Sequence, residues 1–326
     1  MSLLRTKSFH PIITMSVVLG FIFPDFSVLM SDSRVTLRKG SGKLHFRDEL
    51  QKLFQVSDHL AVGFASDDVA VSYSIIQGVT RFCRDSARSK NTLYLLLHLP
   101  RVIKFLYKKN VSSIRRPPAM SFVFVGSILG RGARIPTKDF SELLKKMENS
   151  FTLSPIMMQA LFGGNRDGYM HFPAPGSALF RIDLPKGETY FQHAIGATAV
   201  GSGAPVFDDI EKEIHKIFLS PEKNMRLAML QFSVRDFQQK AKIESVGGMS
   251  QILVIDGAGV YPHSHSFSQL DQSGKEVAGQ KMVFENGSWY QLDNASGRKV
   301  VVSSNLLLIN NDGDNKFNAL AGLGDF

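Results

Sequence analysis

Ser16-Val17-Val18-Leu19-Gly20-Phe21-Ile22-Phe23, then Pro24-Asp25, then Phe26-Ser27-Val28-Leu29-Met30-Ser31-Asp32-Ser33-Arg34-Val35-Thr36 is the stretch on which the fold turns. Two apolar, β-rich runs flank a pair of turn formers, which reads as a β-hairpin. The first run extends back to Pro11 and is too short to cross a bilayer as a helix. Arg5 and Lys7 before it resemble the positive start of a signal peptide, but no small-x-small cleavage pattern follows. The chain instead enters the second strand, so export is not expected. Beyond Asp32-Ser33-Arg34 lies a Gly- and Lys-rich loop from Arg38 to Lys43.

Outward from the hairpin, Lys52 to Val56 and Leu60 to Ala65 read as strands separated by the turn signal Ser57-Asp58. Asp67-Asp68 supply an N-cap for a helix to about Cys83, and a second helix is expected from Thr92 to Lys108, stopped before Pro117-Pro118. Ser121 to Gly126 is a buried strand. Residues 127–175 differ in texture, with an amphipathic helix from Asp139 to Asn149, a Met-rich segment and Gly163-Gly164, and read as an insertion. Strands resume at Ala178 to Asp183 and Tyr190 to Gln192. Helices follow at about Phe207 to Phe218 and Pro221 to Lys240, and Gln251 to Asp256 closes the sheet. From Gly257 the pattern is short strands at Lys281 to Phe284, Trp289 to Leu292, Val300 to Val302 and Leu306 to Ile309, with Asn286-Gly287 as a hairpin turn. Strands that pair with strands while helices arrive in pairs predict two stacked antiparallel sheets, each covered by helices: an α+β, four-layer α/β/β/α sandwich.

Composition narrows the functions. The 326 residues carry a formal net charge of +9, yet the cations appear in short clusters, Lys108-Lys109, Arg115-Arg116 and Lys145-Lys146. No basic stripe with interleaved aromatics is visible, so neither nucleic acid nor membrane is expected as a partner. Cys83 is the one cysteine, which excludes an intrachain disulfide and a cysteine-rich metal site and fits a reducing cytoplasm. It reads as a buried apolar thiol. His263 and His265 flank a serine without accompanying carboxylates or cysteines, so they read as a polar loop rather than a metal site.

The stretch from Ser16 to Gly20 followed by Val28 to Thr36 resembles the opening of proteasome β-subunits, members of the N-terminal-nucleophile (Ntn) hydrolases. Gln51-Lys52-Leu53-Phe54-Gln55-Val56, Ala61-Val62-Gly63-Phe64-Ala65, Leu179-Phe180-Arg181-Ile182-Asp183 and Ala199-Val200-Gly201-Ser202-Gly203-Ala204-Pro205 match later family segments in the same order. The resemblance implies a threonine/serine-type endopeptidase of the cytoplasm, with no metal or organic cofactor. It also implies peptide or unfolded-protein substrates, a homo-oligomeric ring and an unfoldase partner. It divides the chain into an extension or propeptide at 1–15, an Ntn domain at 16–256 and a β-rich arm at 257–326.

Residue by residue, the resemblance puts Ser16 on the nucleophile, Asp32 and Lys52 on its supporting pair and Ser66 on the oxyanion hole, and makes Ser202, between two glycines, either a direct catalytic participant or the shaper of a tight turn. Arg34 and Glu244 are supporting candidates. The chemistry is coherent: a hydroxyl needs an adjacent base, and a free α-amino group, with a reference pKa of about 7.7–8.0, can serve. Ser66 departs from the family's glycine, Asp67-Asp68 follow it, and Glu244 is one residue out of register before Val246-Gly247-Gly248. Met15 stands before Ser16, so a free amine requires either that Met15 is the initiator or that the chain cleaves itself. Thr14 is a rival nucleophile on the same strand face. A non-catalytic subunit resembling proteasome α-subunits and a non-peptidase Ntn amidase remain alternatives.

Overall fold

The computed structural model describes residues 16–23, 25–38, 44–47, 50–85, 92–128, 134–136, 165–166, 169–171, 176–193, 196–204, 207, 216–217, 220, 222–241, 250–263, 265–270, 276–285, 288–293 and 299–302. The opening hairpin is β1 (Val17–Ile22) and β2 (Ser27–Ser31), antiparallel, with Ile22 opposite Ser27. They lie inside a five-stranded antiparallel sheet completed by β13 (Gly196–Gly201), β14 (Gln251–Asp256) and β15 (Gly259–Pro262), in the order β13-β1-β2-β14-β15. A second five-stranded antiparallel sheet has the order β12-β11-β7-β6-β5. Its strands are β5 (Leu53–Ser57), β6 (Leu60–Ser66), β7 (Met120–Ile128), β11 (Gly176–Leu184) and β12 (Glu188–His193).

Alternation along β1 shows how the layers stack. Val18 and Ile22 point between the sheets, where they join Leu29, Val123, Val125, Leu179, Val200 and Leu253. Val17, Leu19 and Phe21 point the other way and meet Leu227, Leu230 and Val234 of helix α3 (Lys223–Ala241). Both faces of the strand are covered, which is why it reads as a continuous apolar run rather than an alternating one. On the far side, α1 (Val69–Asp85) and α2 (Thr92–Val111) lay Ile75, Val79, Leu99 and Ile103 on Phe64, Phe122, Phe124 and Phe180. Helix, sheet, sheet and helix therefore follow one another. At Gly63 the sheets come so close that a Cβ would stand 2.6 Å from a Val18 methyl carbon.

Several expectations shift. β5 starts at Leu53, leaving Lys52 just before the strand. β7 runs into the expected insertion as far as Ile128, where it pairs with Gly176 and Ser177 at the start of β11, just past the insertion's end. Inside that insertion, β8 (Arg134–Pro136), β9 (Asn165–Arg166) and β10 (Tyr169–His171) form a small sheet. The helix expected at 139–149, the segment at 306–309, the extension 1–15 with Thr14, and Glu244 lie outside the described residues. Of the helix expected over 207–218, Phe207, Lys216 and Ile217 are described and are helical.

The tail is joined to the core more closely than an arm starting at 257 suggests. β15 extends the first sheet by pairing with β14. The strands β16 (His265–Leu270), β17 (Glu276–Glu285), β18 (Ser288–Asp293) and β19 (Lys299–Val302) form a separate antiparallel sheet in chain order. Its Met282 and Trp289 are buried within the cluster between the two main sheets. Of the two histidines expected in a loop, His263 lies just past β15 and His265 opens β16. The remaining short strands β3 (Val35–Arg38) and β4 (Leu44–Arg47) make a hairpin beyond Asp32. No helix among the described residues is long and apolar enough to cross a membrane.

Candidate active site

Ser16 sits at the mouth of β1, where three other segments converge. Its carbonyl oxygen accepts from Gly203 N at 3.4 Å and from the Ser202 hydroxyl at 3.4 Å, both in the turn after β13. On its C-terminal side, the Val17 amide donates to Asp32 Oδ1 at 3.0 Å, and Asp32 N donates back to Val17 O at 3.4 Å. The turn leaves no room for a side chain at Gly201. Its φ is +92°, in the region that disfavours a Cβ, and a Cβ would lie 2.0 Å from Ser16 O.

The same Asp32 oxygen carries the second half of the site. Lys52 Nζ donates to Asp32 Oδ1 at 2.7 Å and to the Arg34 carbonyl oxygen, and the Asp32 and Lys52 side chains are both 0% exposed. Asp32 Oδ2 accepts from Arg34 N at 3.2 Å. An ion pair removed from water this completely is stable only if its remaining donors and acceptors are met, and here backbone groups on either side meet them. Arg34 thus enters through its main chain. Its guanidinium lies over the Phe46 ring, 5.5 Å from the centroid.

Lys52 is aimed from behind by two residues the sequence reading did not single out. Gln251, wholly buried at the start of β14, accepts from Lys52 N at 2.9 Å and donates from Nε2 to Leu50 O at 2.6 Å. The Tyr73 hydroxyl on α1 donates to Gln51 O at 2.8 Å. Burial pushes the Tyr73 phenol far above its ordinary range, so it acts as a neutral donor. The backbone of 50–52 is therefore clamped on both sides. The signal for Gln251 was available as a lone amide at the head of the all-apolar run Ile252 to Ile255.

Ser66 closes β6. Its hydroxyl donates to Asp68 O at 2.8 Å and accepts from Asp68 N at 2.9 Å, a local turn that hands the chain to α1. The acidic pair after it is engaged: Asp68 Oδ1 caps the helix by accepting from Val71 N at 3.0 Å, and Asp67 Oδ2 accepts from Ala119 N at 3.3 Å. The positive end of α1 begins just beyond Ser66 and offsets these carboxylates. Ser31 and Thr36, on either side of the 32–34 turn, bury hydroxyls that find no hydrogen-bond partner among the described residues.

Ser16, Asp32, Lys52 and Ser202 are thus brought together through shared bonds, with Arg34 contributing its carbonyl and amide. Ala65 stands 3.1 Å from where a Cβ on Gly201 would lie, which brings the end of β6 and its Ser66 to the same junction. Among the described residues, no cluster of three or more histidines, cysteines or acids is placed to hold a metal ion. Burial pushes the Cys83 thiol up to about 12, so it stays protonated and unreactive inside the helix-covered core. No protein-family model matches the chain, and no curated protein matches its sequence.

Proposed function

We propose that the chain is a proteasome-like Ntn hydrolase that cleaves peptide bonds with Ser16 once the Ser16 amine is free. What carries the reading is one observation: a single oxygen of Asp32 accepts from both the Val17 amide and the wholly buried Lys52 ammonium, coupling the start of β1 to a cation that has no structural need to be buried. In the proposed cycle the Ser16 hydroxyl attacks the substrate carbonyl while its proton passes to the α-amine, with the Lys52 charge favouring the developing alkoxide. Collapse of the tetrahedral intermediate moves that proton to the departing amine and leaves an ester on Ser16. Water, deprotonated by the same amine, then releases the acid. Ser202, bonded to Ser16 O, holds the nucleophile's main chain, and the amide at Ser66 supplies the oxyanion donor.

The same reading carries assembly into a homo-oligomeric ring fed with unfolded chains by an unfoldase. The lone protonated thiol fits a reducing cytoplasm. A non-catalytic structural subunit is the second reading, favoured by the 1% exposure of Ser16. Turnover of fluorogenic peptides separates them, measured on protein confirmed to begin at Ser16. Ser16→Ala and Lys52→Ala should each cost several orders of magnitude in kcat/KM, and the double variant should be no worse than either. An inert wild type with a free Ser16 amine would favour the structural subunit. Wild-type turnover in a folded Lys52→Ala variant would overturn the assigned site.

A further inference from the structure

The outer face of α2 is charged in a way that its place in the fold does not require. Between Asp85 and Asp139 the sequence contains no acidic residue. Within that stretch α2 presents Arg101, Lys104, Phe105, Lys108 and Lys109 at the i, i+3, i+4, i+7, i+8 spacing of one helix face, and Ser112 follows at its end. All but the half-buried Lys104 are exposed, and Arg115 and Arg116 continue the exposed positive surface just past the helix. At the centre stands Phe105, 66% exposed, with Arg101 one turn before it and Lys108 and Lys109 one turn after.

α1 packs beside this face, its Ser74 hydroxyl bonded to Asn110 Oδ1 at 2.7 Å, and adds exposed Arg81 and Arg84. The two helices together carry one carboxylate, Asp85. None of these cations forms an ion pair with a carboxylate among the described residues. Glu188, on the turn that Lys104 overlies at Gly187, is itself paired with Lys186 at 3.6 Å.

Lys108 and Lys109 in the last turn suit the negative end of the helix, but that explains neither Arg101 and Lys104 nor the phenylalanine between them. A helix face whose cations pair with no carboxylate among the described residues, and which carries one exposed phenylalanine, matches the layered chemistry of an anionic lipid surface, phosphates at the level of the cations and acyl chains beneath. It offers no groove to a duplex and no row of aromatics to a single strand. Scattered in sequence as short clusters, these cations gave no expectation of a membrane partner; the helix gathers them into one stripe.

We propose that the α2 face docks the protein peripherally on anionic lipid, with Phe105 inserted among the headgroups and Arg101, Lys104, Lys108 and Lys109 against the lipid phosphates. The proposal is independent of the hydrolase reading. The test is flotation of the full chain with phosphatidylcholine vesicles, with and without phosphatidylglycerol, at low and high salt. Binding is expected only with phosphatidylglycerol, and weaker at high salt. Each cation neutralised should cost about fivefold in partitioning, so Lys104→Gln/Lys108→Gln should cost about 25-fold. Phe105→Ser should weaken vesicle binding about tenfold while leaving capture of duplex DNA and polyglutamate unchanged. These side chains lie on the surface, and circular dichroism controls for folding. Absence of vesicle binding, vesicle binding that survives Lys104→Gln/Lys108→Gln, or vesicle binding that Phe105→Ser leaves unchanged would each overturn it.

Discussion

Two lysine–aspartate pairs in this molecule use the same groups in opposite surroundings. Lys52–Asp32 joins at 2.7 Å with both side chains 0% exposed. Lys223–Asp256 joins at 2.5 Å with its side chains 32% and 17% exposed, and shares its bond with the Tyr261 hydroxyl. Water and the Phe26 and Tyr261 rings solvate the second pair, so it costs little to form and adds little. The first has given up its hydration entirely, a cost that Coulomb attraction in the interior only partly offsets. An apolar pair of similar volume would fill the same space more cheaply. A charge kept there against that gradient points to chemistry rather than to stability.

The comparison breaks most readily at the buried pair. Lys52→Ala, which leaves the Asp32 carboxylate uncompensated, should lower stability by about 3–5 kcal/mol, and Lys52→Met with Asp32→Leu should recover part of that loss in denaturant unfolding, short of the wild type because the Val17 and Arg34 amides then lose their acceptor. A double variant no more stable than Lys52→Ala would mean the ion pair itself holds the fold. Gln251→Leu comes next, because it strands Lys52 N and Leu50 O in the core at about 1–3 kcal/mol for each group left unpaired. Its denaturation midpoint should fall between those of Lys52→Ala and the wild type.

The smallest effect is expected at the exposed pair, where Lys223→Ala should cost no more than about 1 kcal/mol. Its signature lies in pH. Burial alone would raise the Asp256 carboxyl, but hydrogen bonds from Lys223, the Ala258 amide and Tyr261 outweigh it and hold the group below the ordinary carboxylate range. Burial would likewise lower Lys223, and its bonds to Asp256 and Tyr261 leave it raised. The carboxyl's contribution is therefore complete above its unfolded value and lost as pH falls through the folded one. The lysine's contribution is complete below its unfolded value and lost as pH rises through the folded one. Unfolding midpoints across pH should show both losses in the wild type. The alkaline loss should vanish, and the acid loss shrink, in Lys223→Ala.

How much of this was readable in the chain depends on distance along it. The hairpin around Pro24-Asp25, the capping Asp68 and the apolar run from Gln251 to Asp256 are local signals, and each element stands where its signal put it. His265 to Leu270 alternates polar and apolar side chains too weakly to be read, yet forms a strand because β17 is beside it. Asp32 and Lys52 came from a motif, 20 residues apart, whereas Gln251 meets Lys52 from 199 residues away. No local pattern announces a partner at that range, and the burial of Trp289 between the main sheets was invisible for the same reason.

The central claim is that Ser16 is a nucleophile whose own amine is its base, and intact mass of protein purified from its native host tests it most directly. A chain beginning at Ser16 is the expected result. A chain that retains Met1 through Met15 in full would keep that amine in a peptide bond and contradict the claim.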